Sequence, residues 1–288
     1  MGLIDEIKKD AQQSGIQIQD SEAANLEKEL NKLFYLEKDI QKETKFVKQV
    51  MTRGAESQER VGLHASALIV GDKDFCIRQQ VLSLLYKQLQ GSQFKVDLMR
   101  IFEEGNAIHE KWQRLLIRGG FAEPEQLDKT QFNKKYRVSY TPDIICTIPS
   151  FHDGKVIGEI KSVNTFQFQH MKRHPSAWKQ CQWYMGLSIA EAKAKGDWNG
   201  KDFLKGFVLC EDKNTQKFSI EVYDYDKATI EPFILRCKEI KSAYKYFRSS
   251  DILPDRPEDA KTPKSKRCKE CPMRDACWNI GQGRIKIC

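Results

Sequence analysis

Three charged side chains lie where two strand-like segments would normally be apolar. The first segment, TPDIICTI, contains Asp143, and the second, KVIGEIKSV, contains Glu159 and Lys161. Side chains alternate between the two faces of a strand, so Glu159 and Lys161 project from the same face. If the two strands pair, Asp143 joins them, and two crowded carboxylates then favour a bound cation. Mg²⁺ takes oxygen ligands and keeps water for chemistry, so the pattern predicts a metal-dependent hydrolytic site.

The elements around these residues follow from turn and periodicity signals. Asp153 and Gly154 lie between the two segments, and an Asp-Gly pair in that position predicts a hairpin. Residues 94–118 predict a long helix before the hairpin, and a second helix begins near Pro175. Residues 203–225 predict two further strands joined by a polar turn.

The two flanking helices carry polar residues with two possible interpretations each. His109 follows Gly105 by about one turn, on the same face of the first helix. A single helical histidine is more often a structural residue than a ligand. Gln180 and Tyr184 lie at i and i+4 of the second helix, where they could reach a substrate or pack against the sheet.

The cysteines are unevenly distributed. The chain has nine, and Cys268, Cys271 and Cys277 fall close together near its end. Without a secretion signal, disulfides are not expected, and such clustering indicates a metal or cluster site. Four thiolates suit either an Fe–S cluster or zinc. Taken alone, Cys76 is typical of a buried thiol that packs as a small hydrophobe.

Composition bounds the class of protein. The 288 residues are 40% hydrophobic and 31% charged, as in globular proteins. No apolar run approaches the roughly 20 residues of a membrane-spanning helix, and no apolar signal core is present at the start, so we expect no membrane and a cytoplasmic location. The net charge of +8 is a mild indication of a polyanionic partner. Residues 1–60 are polar and helix-favouring, which predicts amphipathic helices that pack on the main body or on a protein partner.

Five elements occur together in a recognisable order: GNAIH (105–109), TPD (141–143), GEIK (158–161), QCQWY (180–184) and the cysteine-rich tail, with a lone Cys76 upstream of them. With them the chain resembles the PD-(D/E)XK nuclease superfamily in its RecB-type branch. The layout of the cysteines is similar to that of the Fe–S nucleases, which include the CRISPR-associated exonucleases, their phage relatives and the nuclease domain of AddB. The match covers roughly residues 63–280.

The resemblance implies an α/β fold with a restriction-endonuclease-like core, in which a central mixed sheet is flanked by helices. It divides the chain into a helical N-terminal extension (1–60), a nuclease core that includes the first cluster cysteine (61–250), and a linker with a cysteine-rich segment (251–288).

The resemblance also implies roles for single residues. Asp143 and Glu159 would bind Mg²⁺ or Mn²⁺, with the carbonyl of Ile160 as a third ligand and His109 completing the metal shell. Lys161 would orient or help to deprotonate the attacking water, and Gln180 and Tyr184 would position DNA and the active site. A structural [4Fe–4S] cluster would be held by Cys76, Cys268, Cys271 and Cys277, and Cys288 is a competing fourth ligand.

Together these observations predict a DNA exonuclease that acts on single-stranded ends, located in the cytosol, or in the host cytosol if it is phage-encoded. The basic stretches 172–174 and 261–274 could follow a phosphate backbone or be solvated surface. Trp178, Trp183 and Tyr184 could stack on unpaired bases or belong to the core. The alternatives are a non-catalytic nucleic-acid-binding or adaptor protein with the same fold, and a nuclease stabilised by zinc.

Overall fold

The computed structural model describes residues 20–37, 40–55, 63–85, 96–269 and 271–279. The helices are α1 (Asp20–Lys32), α2 (Ile40–Ala55), α3 (Ile77–Leu85), α4 (Val96–Arg118), α5 (Thr165–His170), α6 (Ala177–Lys195), α7 (Lys227–Ser250), α8 (Lys266–Lys269) and α9 (Arg274–Asn279). The strands are β1 (Leu63–His64), β2 (Gln131–Asn133), β3 (Val138–Tyr140), β4 (Ile144–Thr147), β5 (Lys155–Val163), β6 (Lys205–Asp212) and β7 (Phe218–Asp224).

The chain forms two compact units, each of which is assembled from separate segments. The first unit comprises Met1–Ser57, Val96–Gln131 and Thr141–Ile230, and the second comprises Gln58–Lys95, Phe132–Tyr140 and Glu231–Cys288.

The first unit is built on a four-stranded mixed sheet in the order β4-β5-β6-β7. β4 and β5 form the predicted antiparallel hairpin, in which Ile144 pairs with Gly158, and the connection spans residues 148–154. β5 and β6 are parallel, so the chain crosses over through α5 and α6 between them. β6 and β7 are again antiparallel. The sheet with its helices confirms the predicted mixed α/β architecture.

Two glycines allow the helices and strands of this sheet to pack closely. A Cβ on Gly158 would lie 2.6 Å from the ring of Phe207 on the neighbouring strand, and one on Gly206 would lie 2.6 Å from Cys181 Sγ on α6. Gly105 differs, because a Cβ there would make an ordinary 3.5 Å contact with Ser162 Oγ. α4 therefore passes near the end of β5, but its backbone does not need glycine for space.

The N-terminal helices contribute to the core of the first unit. Leu26, Leu30 and Leu33 are buried, as is Phe46 of α2, and all four belong to the hydrophobic cluster that contains Trp112 of α4. Phe34, by contrast, is 45% exposed and meets Trp112 edge-on. The described residues of the predicted N-terminal extension thus pack against the core of the first unit.

The second unit has a three-stranded sheet in the order β1-β3-β2, in which β1 and β3 are parallel. Arg236 of α7 donates to the carbonyl of Val70 at 2.7 Å, pairs with Asp72, and lies over the ring of Phe75, 4.3 Å from its centroid. These contacts tie the segment before α3 to α7. Residues 251–265 form neither helix nor strand.

None of the helices in the described ranges has both the length and the apolar character needed to cross a lipid bilayer.

Candidate active site and cysteine pocket

The hairpin of the first unit brings the two predicted carboxylates together. Asp143 directly precedes β4, and the hairpin register places it beside the middle of β5. Its Oδ2 accepts a hydrogen bond of 2.8 Å from the backbone N–H of Ile160. Glu159 of β5 is fully buried, and its carboxylate lies close enough to that of Asp143 for the two charges to interact.

Glu159 is held in an unfavourable environment for a charged group. Burial, and then the neighbouring carboxylate of Asp143, raise the pKa of Glu159 well above its ordinary value. Its Oε1 is buried without a hydrogen-bond partner among the residues that the structure describes. A buried polar atom of this kind costs about 1–3 kcal/mol unless a ligand satisfies it.

Lys161 lies on the same face as Glu159, as strand alternation predicted. Its Nζ donates to Glu159 Oε2 at 3.1 Å and lies 3.8 Å from Asp143 Oδ2. Burial lowers the pKa of Lys161, but the charges of Glu159 and Asp143 outweigh burial, so the pKa lies above its usual value. The side chain is therefore an ammonium at neutral pH.

α4 supplies two more groups to the site. His109 Nδ1 lies 3.5 Å from Asp143 Oδ1, so the helical histidine joins the site. One turn later, Gln113 Nε2 donates to the backbone carbonyl of Asp143 at 2.8 Å, which fixes the start of β4 against the helix. Gln113 was missed in the sequence, although its i+4 spacing from His109 places both residues on one face.

α6 places Gln180 and Tyr184 beside this group. Gln180 Nε2 donates to the hydroxyl of Tyr184 at 3.0 Å. Burial, with the nearby charges of Glu159 and Asp143, raises the pKa of Tyr184 well above its usual value. The phenol is therefore neutral and lies near both carboxylates.

Within the stretch 172–174, Lys172 is exposed, but Arg173 and His174 are not the free surface cations that the sequence suggested. Arg173 is buried, lies 3.6 Å from Glu221 Oε2, and has Trp178 and Tyr223 within cation–π distance. Burial and the charge of Lys161 lower the pKa of His174 to about 4. Its Nδ1 accepts from the backbone N–H of Ala177 at 3.1 Å, so it is a neutral cap at the start of α6.

The structure decides between the two interpretations of Trp178, Trp183 and Tyr184. Trp178 is only 5% exposed, and Trp183 and Tyr184 are fully buried. α6 packs on β5 and β6, so these rings belong to the core and present no open face to a base.

All four cysteines named for the cluster line one pocket in the second unit. Cys76, Cys268, Cys271 and Cys277 surround about 380 Å³ of empty space, which includes its opening to solvent. Burial raises the pKa of Cys76, and it raises that of Cys271 to about 11. Cys288 lies outside the described residues. Cys146, Cys181, Cys210 and Cys237 are buried and do not line this pocket.

Arginine side chains hold the pocket together. Arg78 Nε donates to Cys277 Sγ at 3.2 Å, and its Nη1 donates to the carbonyl of Pro254 at 2.7 Å. Arg256 donates to the carbonyl of Cys277 at 2.8 Å, and Arg267 donates to the carbonyl of Phe75 at 3.0 Å. Positive charge thus surrounds the four thiols.

Neither site contains a ready-made centre for a single ion. Across the part of the chain that the structure describes, no three histidine, cysteine, aspartate or glutamate side chains are placed to hold one metal ion together.

No family model and no curated protein matches this chain. Solved structures that resemble it include the crystal structure of SSO0001, with a TM-score of 0.43, 15% identity, and coverage of 79% of this chain and 91% of that chain. LHK-Exo in complex with dAMP has a TM-score of 0.42 and 13% identity, covering 66% of this chain and 93% of that one. The alkaline exonuclease LHK-Exo from Laribacter hongkongensis has a TM-score of 0.39, with the same identity and coverage. Because these similarities are low, the evidence for the function of this chain must come from its own residues.

Proposed function

We propose that this chain is a divalent-metal-dependent DNA exonuclease of the RecB-type PD-(D/E)XK kind, which hydrolyses phosphodiester bonds at single-stranded ends. The observation that carries the proposal is the carboxylate pair formed by the partly buried Asp143 and the fully buried Glu159, with Lys161 in contact with it. The two carboxylates lie close enough to repel each other, and Glu159 Oε1 is buried without a hydrogen-bond partner among the described residues. A hard cation bound between them would relieve the repulsion and satisfy this oxygen.

Asp143 and Glu159 would hold Mg²⁺ or Mn²⁺, with the backbone carbonyl of Ile160 and the ring of His109 as further ligands. His109 Nδ1 lies 3.5 Å from Asp143 Oδ1, and no three of these side chains are placed to hold one ion in the described ranges. When bound, the ion supplies Lewis-acid polarisation of the phosphate and a water of lowered pKa.

The chain's own residues then have separate tasks. The Lys161 ammonium orients water and stabilises the negative charge that develops on the phosphate. Its raised pKa makes it a poor base, which favours the electrostatic role over proton abstraction. The neutral phenol of Tyr184, held by Gln180, can donate a hydrogen bond beside the carboxylates.

The test is a nuclease assay on end-labelled single- and double-stranded DNA, with and without Mn²⁺. Asp143→Ala and Lys161→Ala should each abolish metal-dependent degradation while the circular dichroism spectrum is retained. Asp153→Ala is a matched control, because this exposed carboxylate lies in the same hairpin and pairs with Lys201 outside the site. Unchanged activity in both site variants would refute the mechanism. DNA binding by the wild-type protein without cleavage would instead favour the adaptor alternative.

We further propose that the cysteine pocket holds a structural [4Fe–4S] cluster. Four thiols around a shared space suit either an Fe–S cluster or a zinc ion, and the resemblance to the Fe–S nucleases favours the cluster. Arg78, which donates to Cys277 Sγ, and the other arginines that line the pocket would stabilise a negatively charged group there. The cluster would join the start of α3 to the C-terminal segment.

Anaerobically purified protein should absorb near ~400 nm, and Cys76→Ser should lose this band. Cys237→Ser is the control, because this cysteine is also buried in the second unit but does not line the pocket. One equivalent of zinc with no such absorbance would refute the Fe–S assignment.

A further inference from the structure

Two aromatic rings are stacked on each other at the protein surface, next in the chain to the strand that carries Glu159 and Lys161. Phe166 and His170 of α5 have ring centroids 4.3 Å apart and an interplanar angle of 28°. Phe166 is 63% exposed, and His170 is exposed as well. A phenylalanine with an open ring face differs from the buried Trp178 and Trp183.

The pair is held in place by its surroundings. α5 begins with a capping box in which Asn164 and Gln167 bond reciprocally. Thr165 Oγ1 donates to Asp212 Oδ1 at 3.0 Å, which fastens the helix to the end of β6. His170 Nδ1 lies 2.8 Å from the carbonyl of Phe166, so the imidazole is fixed against the phenyl ring. A preorganised ring loses little conformational entropy when a ligand stacks on it.

The position of the pair relates it to the candidate active site. Phe166 follows Lys161 by five positions, so their Cα atoms are at most ~18 Å apart, even for a fully extended chain. Lys172, which is exposed, lies two residues after His170 and adds a cation for a phosphate. An open ring face and an exposed cation a few residues further along the chain correspond to the base and the phosphate of a nucleotide.

We propose that the Phe166–His170 pair is a stacking platform for one unpaired base of the DNA strand that enters the active site. The proposal rests on the proposed nuclease function and adds to it a residue that favours single-stranded substrate. In a duplex the base faces are covered by neighbouring bases, whereas an unpaired base has a free face for Phe166.

The experiment is a binding titration of full-length protein with single-stranded oligonucleotides that carry 2-aminopurine at successive positions, in a chelator so that the DNA stays intact. We expect the fluorescence of one position to be quenched by the wild-type protein. Phe166→Ala should remove that quenching and weaken binding roughly 5- to 150-fold, the size expected for one base–aromatic stack. Phe166→Trp should retain both properties.

Tyr35→Ala is the matched control, since Tyr35 is an 89% exposed aromatic residue elsewhere in the same unit and should not affect binding. Equal affinity and equal quenching in Phe166→Ala and wild type would overturn the platform, as would a change in oligomeric state as the main effect of that variant. Cleavage assays with metal separate the two proposals. If wild type degrades DNA and Phe166→Ala does so with unchanged KM, the platform is wrong and the nuclease stands. If the stack is found but no DNA is cleaved, the nuclease is wrong and the platform stands.

Discussion

Replacement of Glu159 by glutamine should stabilise the metal-free protein and abolish its activity. The carboxylate is fully buried, faces Asp143, and leaves Oε1 without a hydrogen-bond partner among the described residues. In Glu159→Gln, the oxygen of the amide can still accept from Lys161, and its N–H group can donate to Asp143. A hydrogen bond to a charged group contributes about 1.5–3 kcal/mol. For a unit of this size, the melting temperature should rise by roughly 3–12 °C.

The assay is thermal unfolding in a chelator and again with saturating Mn²⁺. Wild type should gain about 2.7 kcal/mol at a Mn²⁺ concentration of one hundred times Kd. Glu159→Gln should gain much less, because it lacks one of the two carboxylates. The variant is thus expected to be more stable than wild type without the metal and less responsive to it.

The pH dependence gives a second check with a defined sign. The pKa of Glu159 is raised in the folded state, so its protonated form is favoured there. The contribution of this protonated carboxyl to the free energy of unfolding is fully present below the ordinary glutamate pKa. It is lost as the pH rises towards the pKa of Glu159 in the folded state. The stability advantage of Glu159→Gln should therefore shrink as pH falls from 7 towards the ordinary range of the carboxyl.

Glu211→Gln provides a control of opposite sign. Glu211 is as deeply buried, but its two oxygens accept from Lys111 Nζ and Trp112 Nε1, each at 2.6 Å. Glutamine would point an N–H group at one of these donors, so this variant should be less stable than wild type. If Glu159→Gln were destabilised like Glu211→Gln and retained the full response to Mn²⁺, the role assigned to Glu159 would be wrong.

Three further substitutions test the packing and titration of the same unit. Gly158→Ala should cost about 1–3 kcal/mol in urea unfolding, because its Cβ would clash with Phe207, whereas Gly105→Ala has room and should stabilise α4 by about 0.5–1 kcal/mol. Equal effects of the two would contradict the contacts described. His174 is kept neutral in the fold, so its contribution is present above the ordinary histidine pKa and is lost as pH falls towards about 4. His174→Asn can still cap α6 without titrating. Between pH 7 and 4 its unfolding free energy should therefore fall less than that of wild type, and the difference should be at most about 3 kcal/mol. Parallel curves of unfolding free energy against pH for the two proteins would exclude this role.

Much of the first unit could be predicted because the relevant signals are local. β5 was delimited by its β-branched run and by the turn residues before it, and it spans Lys155–Val163 as expected. α4 ends at Arg118, directly before the two glycines. The hairpin was predicted correctly, although its connection is longer than a two-residue turn. These features depend on residues close together in the chain.

The sequence of this protein by itself determined which side chains share a face. A strand period of two puts Glu159 and Lys161 together, and helical i,i+4 spacing joins Gln180 to Tyr184. Backbone geometry repeats locally, so these relations need no knowledge of the rest of the chain.

Only the tertiary structure decided which of these faces are open and which residues converge on them. It buried Trp183, made His174 a neutral cap, and brought Cys76 to the three cysteines of the tail. It also left Phe166 uncovered, which no periodicity indicated. Burial and partnership depend on contacts between segments that are distant in sequence, and spacing within one segment does not specify them.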